Sequence, residues 1–166
     1  TLTTPGATAL ITALSEESDL LVGAGTVMGK ADAEAALSAG AQFVVSPCLA
    51  APVVATCKAA QRTVICGALT PSEIAQAAEF GADAVKVFPV NAMGGASYLR
   101  AVRDVYPHIR LVPTGGIRID EVATYLDAGA FALGVGGALV DKGAIERGDA
   151  GPIKAAAAAL VASGVH

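Results

Sequence analysis

The sequence predicts an α/β fold of the (β/α)8 TIM barrel type, one domain over residues 1–166 that lacks the first βα unit and the start of the second strand. Three observations carry this. First, the segments SAGAQFVVSP from Ser38, EFGADAVKVFP from Glu79 and DAGAFALGVGG from Asp127 share one design: helix end, Gly-Ala, apolar strand, breaker. Second, those strands are nearly continuous apolar runs, as expected of parallel strands covered on both faces. Third, the unit recurs about every 20 to 25 residues, the spacing of βα repetition with short loops.

Taken in order, Thr1 to Thr4 reads as the tail of a strand whose beginning lies ahead of the sequence. Asp19 to Gly25 is the next strand and ends in GAGT. Helices are predicted over 31–38, 50–60, 71–80, 96–106, 120–128 and 151–163. The third opens with Thr70 as N-cap, Pro71 at N1 and Glu73 at N3, a capping box. Gly40, Gly81 and Gly129 fall where a helix ends in a left-handed residue, a conformation glycine takes at little steric cost. RTVICGALTP from Arg62 and IRLVPTGGI from Ile109 repeat the strand-then-turn grammar. The count is six strands plus the tail at Thr1, against the eight of a closed barrel. An open doubly wound sheet is the structural alternative.

Composition bounds the function. A chain of 166 residues that is 54% hydrophobic buries roughly 70% of its unfolded surface around one core. The net charge of −4, with eleven scattered basic residues, argues against nucleic acid as a partner. No apolar run reaches the ~18 residues of a membrane span. Cys48, Cys57 and Cys66 lack paired spacing and only two histidines exist, so neither a zinc site nor a disulfide framework is expected and a cytoplasmic location is the default. Cys48 and Cys66 read as buried structural thiols, and His108 as a surface residue.

Ligands gather at the carboxyl ends of parallel strands. Those positions hold Thr26, Ser46-Pro47, Gly67, Lys86 to Pro89, Thr114-Gly115-Gly116 and Gly136-Gly137. Lys86 is the anomaly, because it interrupts the β-forming run Val85, Val87, Phe88. Burial there favours the neutral amine and makes it a nucleophile for carbonyl carbon; a lysine that snorkels past an apolar wall or pairs with a carboxylate is the competing reading. Glycine pairs at two adjacent strand ends leave backbone N–H groups uncovered for a phosphate, the last two loops of a barrel being where phosphate sites usually lie. Relief of crowding between strand and loop is the other account of them. The GAGTV segment at Gly23 is no dinucleotide fingerprint, since its third glycine is missing.

TLTTPGA at Thr1, VGAGTV at Val22, AGAQFVVSP at Ala39, KVFP with NAMGG, PTGGI at Pro113 and GVGGAL at Gly134 together resemble the 2-keto-3-deoxy-6-phosphogluconate (KDPG) aldolases, also known as 4-hydroxy-2-oxoglutarate (KHG) aldolases. The resemblance spans nearly the whole chain. It implies a small (β/α)8 barrel assembled as a homotrimer, with Lys86 forming a Schiff base with pyruvate. It implies further that Thr26, Pro47, Phe88 and Thr114 bind substrate, that Gly115, Gly116, Gly136 and Gly137 hold the distal phosphate, and that no cofactor or metal is needed. Two departures stand out. The family's proton-shuttling glutamate belongs two residues ahead of Thr1, and some members carry serine where Gly137-Ala138 stand and arginine where Thr3 stands.

The expected activity is therefore a lyase reaction that cleaves KDPG or KHG to pyruvate and an aldehyde. A catalytically impaired barrel fragment serving as an assembly or binding scaffold is the alternative. An isomerase or synthase of the same architecture is disfavoured, because no paired carboxylates fall at strand ends.

Overall fold

A computed structural model describes residues 1–17 and 19–163. The chain forms two compact units, Thr1–Val87 and a second that begins at Phe88. The first holds four parallel strands, β1 (Gly23–Gly25), β2 (Phe43–Val45), β3 (Thr63–Ala68) and β4 (Ala84–Val87), paired in sequence order. Helix α1 (Ala7–Ser15) precedes β1, and α2 (Lys30–Ser38), α3 (Ala51–Ala59) and α4 (Pro71–Glu79) run between successive strands. Its core is small and branched: Val44, Val53, Val54, Val64, Ile74, Val85 and Val87 are fully buried. Strands buried on both sides need no polar alternation, which is why FVV and AVKV read as continuous runs.

The helix ends fix strand register. After α2 and α4 the chain turns through Gly40 (φ 99°) and Gly81 (φ 89°). The N–H of each glycine bonds three residues back, to Leu37 O and Ala78 O, and the next N–H five back, to Ala36 O and Ala77 O. This is the Schellman arrangement. Two residues past each glycine a polar side chain clamps the preceding strand. Gln42 N–H donates to Val22 O while Val22 N–H donates to Gln42 Oε1, both at 2.8 Å. Asp83 repeats the pattern on Val64, at 3.0 and 2.8 Å, and also takes Lys58 Nζ at 2.7 Å.

The second unit contains β5 (Leu111–Pro113), α5 (Ala96–Val105), α6 (Val122–Asp127), α7 (Lys142–Glu146) and α8 (Gly151–Ala162), with 3-10 turns at Val90–Met93 and Ile119–Glu121. Val90, Leu99, Leu111 and Val122 are its largest fully buried side chains, with Tyr125 3% exposed. The same glycine turn recurs at Gly129 (φ 88°), after which Phe131 N–H donates to Leu111 O at 2.9 Å.

Several elements differ from expectation. The sixth strand, predicted in DAGAFALGVGG, is reduced to one parallel bridge between Thr114 and Gly134. Small residues and glycines there add little side-chain packing to a ladder. Thr1 to Thr4 is a turn rather than a strand, although Leu2 N–H still donates to Gly25 O at 2.9 Å. The capping box predicted on α4 is present: Glu73 N–H donates to Thr70 Oγ1, and Thr70 N–H to Glu73 Oε2. Helices α1 and α7 were not anticipated; α7 is announced by Asp141, whose carboxylate caps Ala144 N–H at 2.9 Å.

Candidate active site

The ladder of the first unit aligns its strand ends in one row. Gly67 of β3 sits beside Lys86 of β4, so their side-chain directions share a face of the sheet. Nothing larger than glycine fits at 67: a Cβ there would lie 2.3 Å from Pro47 C and 2.4 Å from Cys48 N. The loop after β2 thus fills the space beside the lysine's row. Ser46, the one fully buried polar side chain among the described residues, pins that loop. Its hydroxyl accepts Gly67 N–H at 3.0 Å and donates to Cys48 O at 2.9 Å.

Lys86 itself is half-buried, the third of four residues in β4 between buried Val85 and Val87. Burial pushes its amine below the ordinary lysine range, because a desolvated ammonium loses hydration that the neutral amine does not need. Thr26 follows β1 with φ 60°. A β-branched residue in the left-handed region is strained, and such strain clusters at functional sites. Pro47 and Thr26 are half-buried at the same strand ends.

In the second unit the chain leaves β4 through a cis Phe88–Pro89 bond. The Phe88 ring covers Gly115 closely enough that a Cβ at 115 would lie 3.1 Å from it. Thr114 is half-buried; its carbonyl accepts Val90 N–H at 2.9 Å and its hydroxyl donates to Val112 O at 3.2 Å. Gly115 and Gly116 both have positive φ, 101° and 73°. Asn91 braces the turn: its Nδ2 donates to Gly116 O at 2.7 Å, and its Oδ1 accepts the Tyr125 hydroxyl at 2.9 Å. A cavity of about 870 Å³ opens beside this loop, lined by Gly116, Gly136, Gly137, Arg118 and Asp120, with Ala159 and Ser163 from the end of α8. The N–H groups of Gly115, Gly116, Gly136 and Gly137 meet no acceptor among the described residues, and a Cβ at Gly136 or Gly137 would touch nothing within 4 Å.

Each unit therefore holds part of what the sequence predicts: in the first, Pro47 packs against Gly67, the register neighbour of Lys86, with Thr26 at the end of β1; in the second, Phe88 lies on Gly115, and Gly116, Gly136 and Gly137 line one cavity. Cys66 is buried as expected, whereas Cys48 is exposed, its backbone being held by Ser46 and Gly67 while its side chain turns outward. Ser46 as a brace, Asn91 and Arg118 were not singled out from the sequence. Asn91 bonds partners 25 and 34 residues away, so no local pattern announces it.

Residues 1–156 match the protein family described as KDPG and KHG aldolase. The chain is 41% identical over 141 residues to the 2-dehydro-3-deoxy-phosphogluconate aldolase of Treponema pallidum, covering 84% of this chain and 67% of that one. It is 37% identical over 164 residues to the enzyme of the same name from Dickeya dadantii, covering 98% and 76%. Among solved structures it is similar to KDPG aldolase from Legionella pneumophila with pyruvate captured at low pH as a covalent carbinolamine intermediate, at a TM-score of 0.86 and 29% identity, over 95% of this chain and 77% of that one. The α/β class read from the sequence stands, and its barrel type is that of the aldolase structures it matches. By sequence over nearly its whole length, the chain belongs to the KDPG and KHG aldolase family.

Proposed function

We propose that the protein is a class I aldolase that cleaves KDPG, or the related KHG, to pyruvate and an aldehyde. The observation that carries this reading is the half-buried amine of Lys86 at a strand end, its pKa lowered by burial. Lys86 Nζ adds to the C2 carbonyl to give a carbinolamine, which loses water to an iminium. The positive nitrogen then draws in the electrons of the C3–C4 bond, and the C4 hydroxyl gives up its proton to become the aldehyde. The enamine left on the lysine takes a proton at C3, and water returns to release pyruvate and the free amine. The iminium supplies the positive charge that a metal supplies in other aldolases.

In this reading Thr26 and Pro47 border the reacting end, Phe88 and Thr114 contact the substrate chain, and the N–H groups of Gly115, Gly116, Gly136 and Gly137 receive the distal phosphate. The working assembly is a homotrimer in the cytoplasm, with no nucleic-acid or membrane partner. Among the described residues no helix is long and apolar enough to cross a membrane. Nothing in the chain favours the alternative of a noncatalytic scaffold. Borohydride reduction in the presence of pyruvate should add the mass of the reduced adduct to the peptide that holds Lys86. An unmodified Lys86, together with turnover surviving Lys86→Met, would overturn the assignment; the expected loss is at least about 10³-fold.

A further inference from the structure

The cavity beside Gly116 contains a cation that the phosphate reading does not use. Among the described residues lining it, Arg118 is the one positive side chain. Its guanidinium is turned onto Asp120 in a two-pronged pair, Nε to Oδ1 at 2.9 Å and Nη2 to Oδ2 at 2.8 Å, while Nη1 lies 3.4 Å from Glu121 Oε1. Asp120 lines the same cavity. Both partners of the pair are well exposed, at 66% and 70%. An ion pair in water is weak and readily exchanged, whereas guanidinium binding to phosphate is also two-pronged and gains from the second charge of a dianion. The far wall is the last turn of α8, whose terminal carbonyls make that rim negative. Gly137 and Ala138 bring no hydroxyl to the opposite side. The N–H groups of Gly116, Gly136 and Gly137, the glycines that line the cavity, give a phosphate shape and direction but no net charge, so a dianion entering here meets a single compensating cation among the described lining residues, parked on a carboxylate.

We infer that Arg118 is a specificity-determining ligand for the substrate's phosphate, held in reserve by Asp120, which it leaves when a phosphorylated substrate enters. The inference deepens the aldolase reading and rests on it. Its signature is a pair of opposite effects. Arg118→Gln raises KM for phosphorylated KDPG about 10- to 100-fold and leaves KM for unphosphorylated KHG within about twofold, with kcat on either substrate little changed. Asp120→Asn does the reverse, lowering KM for KDPG by about two- to fivefold, because it removes both the competitor and a like charge. Arg118→Lys falls between, since an ammonium keeps the charge and loses the fork.

Inorganic phosphate supplies a readout that needs no turnover. Titrated calorimetrically into the intact protein, it should bind more weakly to Arg118→Gln and more tightly to Asp120→Asn than to wild type. Equal KM changes on both substrates, or an Asp120→Asn variant that binds phosphate more weakly, would overturn the inference. A wild-type protein that traps no pyruvate on Lys86 would sink the aldolase reading instead, while the phosphate titration would still decide the role of Arg118. Matching near-ultraviolet circular dichroism for the three variants guards against a folding defect.

Discussion

Lys86 does two things that pull against each other. In the proposed reaction its neutral amine is the nucleophile; burial lowers its pKa, and the same burial is a cost to the fold whenever the amine is charged. The native state holds the Lys86 proton less tightly than the unfolded chain does. Between the depressed folded value and the ordinary lysine value, the unfolded state therefore binds more protons, and stability rises with pH across that window. Below it the full desolvation cost is present. Lys86→Met is accordingly expected to melt at a higher temperature than wild type at neutral pH, the gap narrowing as pH approaches the ordinary lysine value, while imine formation is lost. Rate should follow the other limb: kcat/KM falls as pH drops through the lowered Lys86 pKa. Melting scans across pH set beside a pH–rate profile check both signs. A Lys86→Met protein less stable than wild type at every pH would contradict the burial argument.

The repeated helix end is where sequence and element meet most directly. Gly40, Gly81 and Gly129 were legible because a left-handed residue after a helix calls for glycine, and all three occupy that position with the same pair of bonds. The turn after α3 has the same bonds, Gln61 N–H to Lys58 O and Arg62 N–H to Cys57 O, but its left-handed residue is Gln61 at φ 52°. A side chain there costs about 1–2 kcal/mol that glycine avoids, offset in part by glycine's greater freedom when unfolded. Gln61→Gly should therefore stabilise the protein by about 1 kcal/mol in urea denaturation, with an unchanged slope. The clamp at Asp83 runs the other way. Asp83→Ala leaves the N–H of buried Val64 without its carboxylate and releases Lys58, an expected loss of about 1–3 kcal/mol in the same measurement. Its charge also adds to burial in raising the Cys57 thiol pKa, which keeps that thiol inert. The sixth strand was misread because an apolar run does not distinguish a ladder from a packed loop. Gly134 is there to clear Thr114, whose Oγ1 would lie 2.2 Å from an added Cβ, and that contact is invisible in the run itself. Helix ends also explain the basic cleft of Arg103, His108 and Arg110. Arg103 donates from Nη1 to the Pro107 and Ile109 carbonyls just past α5, and Arg110 stacks 5.2 Å from the Phe131 ring past α6. Cations there answer two negative helix termini.

At the scale of the whole molecule, the proposed chemistry draws on short strands and glycine turns, and the exposed surface carries a load of its own. Leu10, Leu21 and Met28 in the first unit, and Val105, Phe131, Ile145 and Val161 in the second, are each more than half exposed. Scattered apolar side chains are ordinary on a monomer, but contiguous ones are covered in an assembly. The homotrimer proposed above would cover apolar surface of this kind, and the net charge of −4 on each chain opposes it through like-charge repulsion that salt screens. Sedimentation velocity at micromolar concentration should give three chain masses at physiological ionic strength, with the trimer loosening as salt is lowered. Burial of apolar surface responds to salt in the same direction, so temperature separates the two causes: a contact driven by apolar burial weakens on cooling, and screened charge repulsion changes little. A single chain mass at every salt concentration and temperature would remove the trimer and leave these side chains exposed to water in the working enzyme.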